Sequence, residues 1–196
     1  VQTCALPIFL LAWVCRRRDI RRDWLYDRCM EIQQNPDGYL DLWARFHYKS
    51  TIITFGKTIQ DILTDPEVTV GIFSHTRPIS KAFLQQIKTE LENNDLLKEL
   101  FPETLYQDPK KESPRWSLDG GICVKRASNP KEATVEAHGL VDGQPVSKHF
   151  RVRVYDDVVT RESVYTAEMI KKTTGAWELS LNLDRKSTRL NSSHYS

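Results

Sequence analysis

The sequence predicts an α/β fold built on a mostly parallel sheet. Residues 39–44 alternate between apolar and polar side chains, and residues 68–73 are rich in β-branched residues. Each of these runs is followed by a segment whose apolar residues recur at helical spacing, and strands that alternate with helices pair in parallel. The chain has 196 residues, of which 40% are hydrophobic, so we expect one domain with its own core.

The predicted elements are defined by periodicity and turn residues. Residues 20–32 form a helix that stops at the turn sequence of residues 35–38. The first strand, 39–44, is followed by a helix over 52–63. The later elements, in order, are a strand at 68–73, helices at 78–93 and 96–101, a hairpin at 116–125, strands at 132–138 and 150–155, and a helix at 166–183.

The composition excludes several classes of protein. Lys+Arg 28 against Asp+Glu 26 leave a net charge of +2, which does not by itself require a nucleic-acid partner. The four cysteines form no C-x-x-C pair, so we expect neither a disulfide framework nor a zinc site, and a reducing, cytoplasmic setting fits. The longest apolar run, residues 5–14, is shorter than the ~18–20 residues of a membrane span. We therefore predict no membrane segment and no secretion signal.

Both ends of the chain differ from the rest. Residues 1–8 open without Met and before any helical periodicity, and residues 185–196 are polar and aperiodic. Both pieces resemble translated adapter sequence, and we interpret them as non-native; an ordinary flexible tail is the alternative. The expected native domain covers residues 9–184.

The first turns of the first predicted helix are basic. One interpretation is a contact with a nucleic-acid phosphate backbone, and the favoured one is a solvated face that Asp19 and Asp23 partly offset. The basic residues are Arg16, Arg17, Arg18, Arg21 and Arg22.

The tripeptide Lys-Ser-Thr at residues 49–51 lies where the first strand's loop meets the following helix. Backbone N–H groups at such a helix start favour a phosphate, the Lys can reach the β- and γ-phosphates, and the Ser hydroxyl can ligate Mg²⁺. Residues 186–188 repeat the three letters with no strand before them and no apolar helix after them, so the context carries the signal. The motif is irregular, because Trp43 and Tyr48 stand where a phosphate-binding loop has Gly.

Two adjacent carboxylates, Asp156 and Asp157, follow the strand at 150–155. Ligands bind at the carboxyl ends of strands in open α/β sheets. In an ATPase with a phosphate-binding loop, the first carboxylate holds Mg²⁺ and the second orients or deprotonates the attacking water. Adjacent acids at a strand end are also common as solvated turn residues, and Lys49 makes the metal-site interpretation the stronger one.

Three further side chains near these strand ends are candidates. Arg45 precedes Lys49 by four residues and can add positive charge near the γ-phosphate. Arg77 follows the second strand and could face a nucleotide in cis or a neighbour's in trans, with an ordinary surface Arg as the alternative. His47 has no second His or Cys nearby, so we assign it no metal.

Four motifs in this order resemble the large terminase subunit of tailed bacteriophages. They are LWARFHYKST at 42–51, GIFSHT at 71–76, GLVDG at 139–143 and VYDDVV at 154–159. The resemblance covers roughly residues 21–183. Terminases have a deviant phosphate loop that keeps an Arg and Lys-Ser/Thr while losing glycines, as this chain does.

The resemblance implies a P-loop NTPase fold of the ASCE/RecA-like type and an Mg²⁺-dependent ATPase that drives viral DNA into procapsids. The implied catalytic residues are Asp157, Lys49 and Arg45. Nucleotide binding is implied for Arg45, Phe46, His47, Tyr48, Lys49, Ser50 and Thr51, Mg²⁺ binding for Ser50 and Asp156, and a trans-acting role for Arg77. The implied partners are double-stranded viral DNA, the portal protein, the small terminase subunit and further copies in a ring, in the host cytoplasm.

The family continues beyond the acidic strand with a Ser/Thr-Gly coupling motif and a nuclease domain, and neither occurs in this sequence. We therefore expect an ATPase domain incomplete at its C-terminus, without DNA cleavage. Two alternatives remain: a helicase-like P-loop ATPase, which shares both motifs, and a non-enzymatic DNA-binding fragment that uses the arginines. The second alternative predicts DNA affinity that is independent of Lys49.

Overall fold

The computed structural model describes residues 6–35, 39–43 and 46–193, apart from the side chains of Tyr39 and of residues 184–193. The helices are α1 (Ile8–Val14), α2 (Asp23–Gln34), α3 (Thr58–Thr64), α4 (Arg77–Asn93), α5 (Asp95–Leu100), α6 (Pro109–Glu112) and α7 (Ala167–Ser180). The strands are β1 (Tyr39–Trp43), β2 (Val70–Ser74), β3 (Trp116–Ser117), β4 (Gly121–Ile122), β5 (Val135–Gly139), β6 (Phe150–Asp156) and β7 (Asp184–Ser193). A π-helical segment, Thr51–Lys57, runs directly into α3.

Within the described residues the strands form one sheet in the order β1-β7-β6-β2-β5-β4-β3. In this order, every neighbouring pair from β1 through β7, β6 and β2 to β5 is parallel. The short strand β4 pairs antiparallel with both β5 and β3. The predicted α/β class with a mostly parallel sheet is therefore confirmed. Val70 of β2 lies between Val152 of β6 and Val135 of β5, so these three strands end at one edge of the sheet.

The two faces of the sheet are covered by different helices. The main core contains Ile72 and Val154 from the sheet together with Phe55 of the π-helical segment and Leu84 of α4. The opposite face carries a smaller cluster that includes Tyr155, against which α7 packs through Trp177. Because side chains alternate along a strand, Asp156 points to the same face as Val154, toward the helix that follows β1.

Two segments differ from the sequence-based expectation. The sequence predicts neither helix nor strand at 185–196, whereas Asp184–Ser193 forms β7 between β1 and β6. Near the other end, α1 buries Ile8 and Leu11 completely. Backbone hydrogen bonds need no apolar side chains, so a polar, aperiodic strand gives no signal in the sequence. The non-native origin of residues 1–8 and 185–196 stays a prediction.

The predicted turn that ends α2 includes residues 36–38, which lie outside the described residues. None of the helices that the structure describes is long and apolar enough to cross a membrane.

Candidate functional site

The loop after β1 has an unusual backbone. Phe46 and Tyr48 adopt left-handed conformations, with φ of 64° and 62°. This conformation costs a residue other than Gly roughly 1–3 kcal/mol, and such strain clusters at functional sites. Tyr48 therefore has the backbone that glycine favours, although sequence reasoning counted the missing Gly against the motif. Arg45 lies outside the described residues.

The helix that follows the loop is locally widened. It includes Lys49 and Ser50, becomes π-helical over Thr51–Lys57, and returns to α-helical geometry in α3. π-Helical geometry is rare in proteins, and the places where it does occur are often functional sites. Within this stretch the Thr54 hydroxyl donates a 2.6 Å hydrogen bond to Oδ2 of Asp156. In the sequence Thr54 lies in the run Ile52-Ile53-Thr54-Phe55, where it does not differ from a core position.

The structure brings Lys49 and Asp156 together at the carboxyl edge of the sheet. Lys49 Nζ lies 3.9 Å from Asp156 Oδ1, and the two residues are only 8% and 0% exposed. A charge-assisted hydrogen bond is about 2.7–2.9 Å long, so this contact is an ion pair without one. Across the described residues neither Lys49 Nζ nor Asp156 Oδ1 has a hydrogen-bond partner. Both predicted residues therefore offer an unused polar atom to the same place.

Burial shifts the pKa of each partner toward its neutral form. Burial lowers the pKa of Lys49, although the carboxylates of Asp156, Asp157 and Asp41 oppose the shift. Burial also raises the pKa of Asp156, against hydrogen bonds from Thr54 and Ser50 and the charge of Lys49. Desolvation thus outweighs the attraction between the two groups. A phosphate at Lys49 and a divalent cation at Asp156 would both stabilise the charged forms.

Asp157 reaches the same site because the chain turns after β6. Its φ is 52°, and its carbonyl oxygen accepts a 3.1 Å hydrogen bond from the backbone N–H of His75. The Asp157 charge contributes to raising the pKa values of both Lys49 and Asp156, so its carboxylate acts on both groups. The turn takes Asp157 out of the alternation of side chains along β6, so its carboxylate can lie on the side of Lys49 and Asp156.

The oxygen donors suit Mg²⁺ that arrives with a nucleotide. In the described part of the chain, no group of three or more His, Cys, Asp and Glu side chains could hold a metal ion. Mg²⁺ in nucleotide sites is usually held by one or two protein oxygens, with phosphates and waters completing its coordination. Asp156 Oδ1 and the Ser50 hydroxyl, whose interaction with the Asp156 carboxyl lowers the pKa of that carboxyl, supply such oxygens.

Trp24 of α2 packs against the loop after β1. The His47 ring lies 5.7 Å from that of Trp24, which in turn contacts Trp43 at 6.5 Å. The Arg28 guanidinium stacks 5.0 Å from the Trp43 ring. The side chain of Phe46, in the same loop, is by contrast 97% exposed. His47 thus has a packing partner, and its predicted contact with nucleotide stays a prediction.

Arg77 is the first residue of α4 and contacts the turn between β3 and β4. Its Nη2 donates a 2.9 Å hydrogen bond to the carbonyl oxygen of Asp119 and lies 3.7 Å from the carboxylate of that residue. The structure thus ties Arg77 to the hairpin. Its predicted role toward a neighbour's nucleotide stays a prediction.

No protein-family model matches this chain, and comparison with curated proteins finds no match.

Proposed function

We propose that this chain is the ATPase part of a viral DNA-packaging motor of the terminase large-subunit type, an Mg²⁺-dependent ATP hydrolase with a P-loop NTPase fold of the ASCE/RecA-like type. One observation carries the proposal. Lys49 at the start of the helix after β1 and Asp156 at the end of β6 are far apart in the sequence, meet in a buried position at the carboxyl edge of a parallel sheet, and keep polar atoms without partners among the described residues. This arrangement fits an anionic ligand that arrives with a divalent cation.

Each residue has a role in the proposed reaction. Lys49 and the backbone N–H groups at the start of its helix bind the phosphates, and Ser50 and Asp156 hold Mg²⁺. Mg²⁺ held by these two residues would supply positive charge that offsets the negative charge developing on the phosphates. Asp157 orients the attacking water and accepts its proton. Arg45, four residues before Lys49 in the sequence, adds positive charge for the γ-phosphate.

The biological setting rests on the motif resemblance alone. It includes double-stranded viral DNA, a portal protein, a small terminase subunit and a ring of identical copies in the host cytoplasm. A helicase-like ATPase would use the same nucleotide site, and its distinction from a packaging motor depends on these partners.

The direct test is a titration of a fluorescent ATP analogue, in the presence of Mg²⁺, into the parent chain and Lys49→Ala. We expect the variant to bind at least about tenfold more weakly, because it loses a charged contact to phosphate. Lys186→Ala is the matched control, since Lys186 begins the same tripeptide outside the site. Parental affinity in Lys49→Ala, with Tm confirming folded protein, would show that the site is misassigned.

The exposed arginines favour a second candidate function, DNA binding without catalysis. Arg16, Arg18, Arg21 and Arg22 are exposed, although the guanidinium groups of Arg21 and Arg22 stack on Trp13 and Tyr48. This function predicts DNA affinity that falls steeply with salt and is equal in the parent and Lys49→Ala. A fluorescence anisotropy titration with duplex DNA at two salt concentrations measures both properties.

A further inference from the structure

The last residue of β2, Ser74, lies beside Asp156. In the ladder between β2 and β6, Phe73 is opposite Tyr155. The two chains continue side by side, because His75 N–H donates a 3.1 Å hydrogen bond to the carbonyl oxygen of Asp157. The backbone positions of Ser74 and Asp156 are therefore adjacent.

The two side chains also point to the same face of the sheet. Ile72 and Val154, which are opposite each other in the ladder, both lie in the main core. Ser74 and Asp156 each follow two residues later, and side chains two residues apart in a strand share a face. This is the face on which Lys49 approaches Asp156.

The Ser74 hydroxyl is buried and unused. Ser74 is 0% exposed, and its Oγ has no hydrogen-bond partner in the described ranges of the chain. Ser80 shows the usual case, since it is equally buried and its hydroxyl donates a 2.9 Å hydrogen bond to the Arg77 carbonyl. Buried hydroxyls without partners are uncommon and costly, and here the neighbouring Asp156 Oδ1 is unpartnered as well. Two such groups on adjacent strands indicate a place built for a ligand or for water that accompanies it.

We propose that Ser74 is a positioning residue of the nucleotide site, an inference that rests on the proposed function. Its hydroxyl group holds the unpartnered carboxylate oxygen of Asp156 through one water molecule, in the orientation that serves the bound Mg²⁺–nucleotide. Ser74 thus acts through Asp156, while Lys49 acts on the phosphates directly.

The experiment measures the Mg²⁺ concentration that gives half-maximal binding of a fluorescent ATP analogue. We expect Ser74→Ala to require about tenfold more Mg²⁺, the effect of losing one hydrogen bond to a charged group. Its Tm should stay at or above the parental value, because the variant removes a buried hydroxyl that has no partner among the described residues. Ser74→Thr, which keeps the hydroxyl, should restore most of the parental Mg²⁺ dependence.

Ser80→Ala is the matched control. It removes an equally buried hydroxyl that has a partner, so it should lower Tm and leave the Mg²⁺ requirement unchanged. If Ser74→Ala needs no more Mg²⁺ than the parent while Lys49→Ala loses binding, the role of Ser74 is wrong and the proposed function stands. A loss of Tm in Ser74→Ala equal to that in Ser80→Ala would make the hydroxyl structural and overturn the inference. A parent chain without Mg²⁺-dependent nucleotide binding would defeat the proposed function and this inference together.

Discussion

Two polar clusters in this molecule respond to burial in opposite ways. At the far end of α4, Glu92 accepts hydrogen bonds from Lys88 at 2.8 Å and Trp116 at 3.0 Å, and Lys110 lies 2.5 Å from its other oxygen. Burial alone would raise the pKa of Glu92, but the hydrogen bonds from Lys110, Lys88 and Trp116 lower it to about 2. The cluster keeps its charges because both carboxylate oxygens have partners.

The pair Lys49 and Asp156 shows the reverse. Burial lowers the pKa of the lysine and raises that of the aspartate, and each keeps a polar atom that no described residue satisfies. A cluster whose polar atoms all have partners offsets its own desolvation, whereas a buried pair with unpartnered atoms costs stability that a bound ligand could recover. The difference separates a structural cluster from a candidate binding site within one core.

The largest expected effect concerns the carboxylate that completes the site. Asp157→Asn should reduce ATP hydrolysis by about 10²–10⁴-fold and leave nucleotide binding nearly unchanged, because the amide keeps the shape but cannot accept the proton of the water. Asn also tolerates the left-handed backbone at this position, where φ is 52°. Phosphate release and a binding titration on the same preparation measure the two effects.

Asp142→Asn provides the control for this experiment, because Asp142 is an exposed aspartate in the loop after β5. It should hydrolyse ATP at the parental rate. Hydrolysis at the parental rate by Asp157→Asn would contradict the assignment of the catalytic base.

A smaller effect is expected when Asp156 loses the hydrogen bond that it accepts from Thr54. Thr54→Val removes the hydrogen bond to Asp156 at nearly constant side-chain volume. We expect the free energy of unfolding to fall by about 1–3 kcal/mol, because a buried carboxyl oxygen loses its partner. The pKa of Asp156 should also rise further, since this hydrogen bond lowers it. Urea denaturation at neutral pH measures the loss.

The same helix offers a matched control. Thr58 is 0% exposed, and its hydroxyl has no hydrogen-bond partner among the residues that the structure describes. Thr58→Val should therefore leave the free energy of unfolding unchanged or raise it. Equal losses in the two variants would remove the distinction between satisfied and unsatisfied groups on which the comparison rests.

The sequence predicted what depends on periodicity and local motif context. The parallel sheet, α4 and the strand that ends in Asp156 follow from apolar spacing, and Lys49 follows from its place between a strand and a helix. Thr54 and Ser74 were missed, because a single hydroxyl residue in an apolar run does not differ from a core residue until the strands are paired. The left-handed backbone of Tyr48 was also missed, since only tertiary packing holds such strain in place.

The smallest expected effect is in the satisfied cluster and depends on pH. The pKa of Glu92 falls from its ordinary value of 4.5 to about 2 in the folded protein. A depressed carboxylate pKa stabilises the fold above the unfolded value, and this contribution is lost as the pH falls from about 4.5 to about 2. Glu92→Gln should therefore cost about 0.5–1 kcal/mol at pH 7, a value limited by solvent screening of the ion pairs, and nearly nothing near pH 2. Denaturation curves of the parent, this variant and Glu99→Gln, which changes an exposed glutamate of α5, measure the difference at each pH. A gap between parent and Glu92→Gln that stays constant from pH 7 to pH 2 would mean that packing, and not charge, accounts for the role of Glu92.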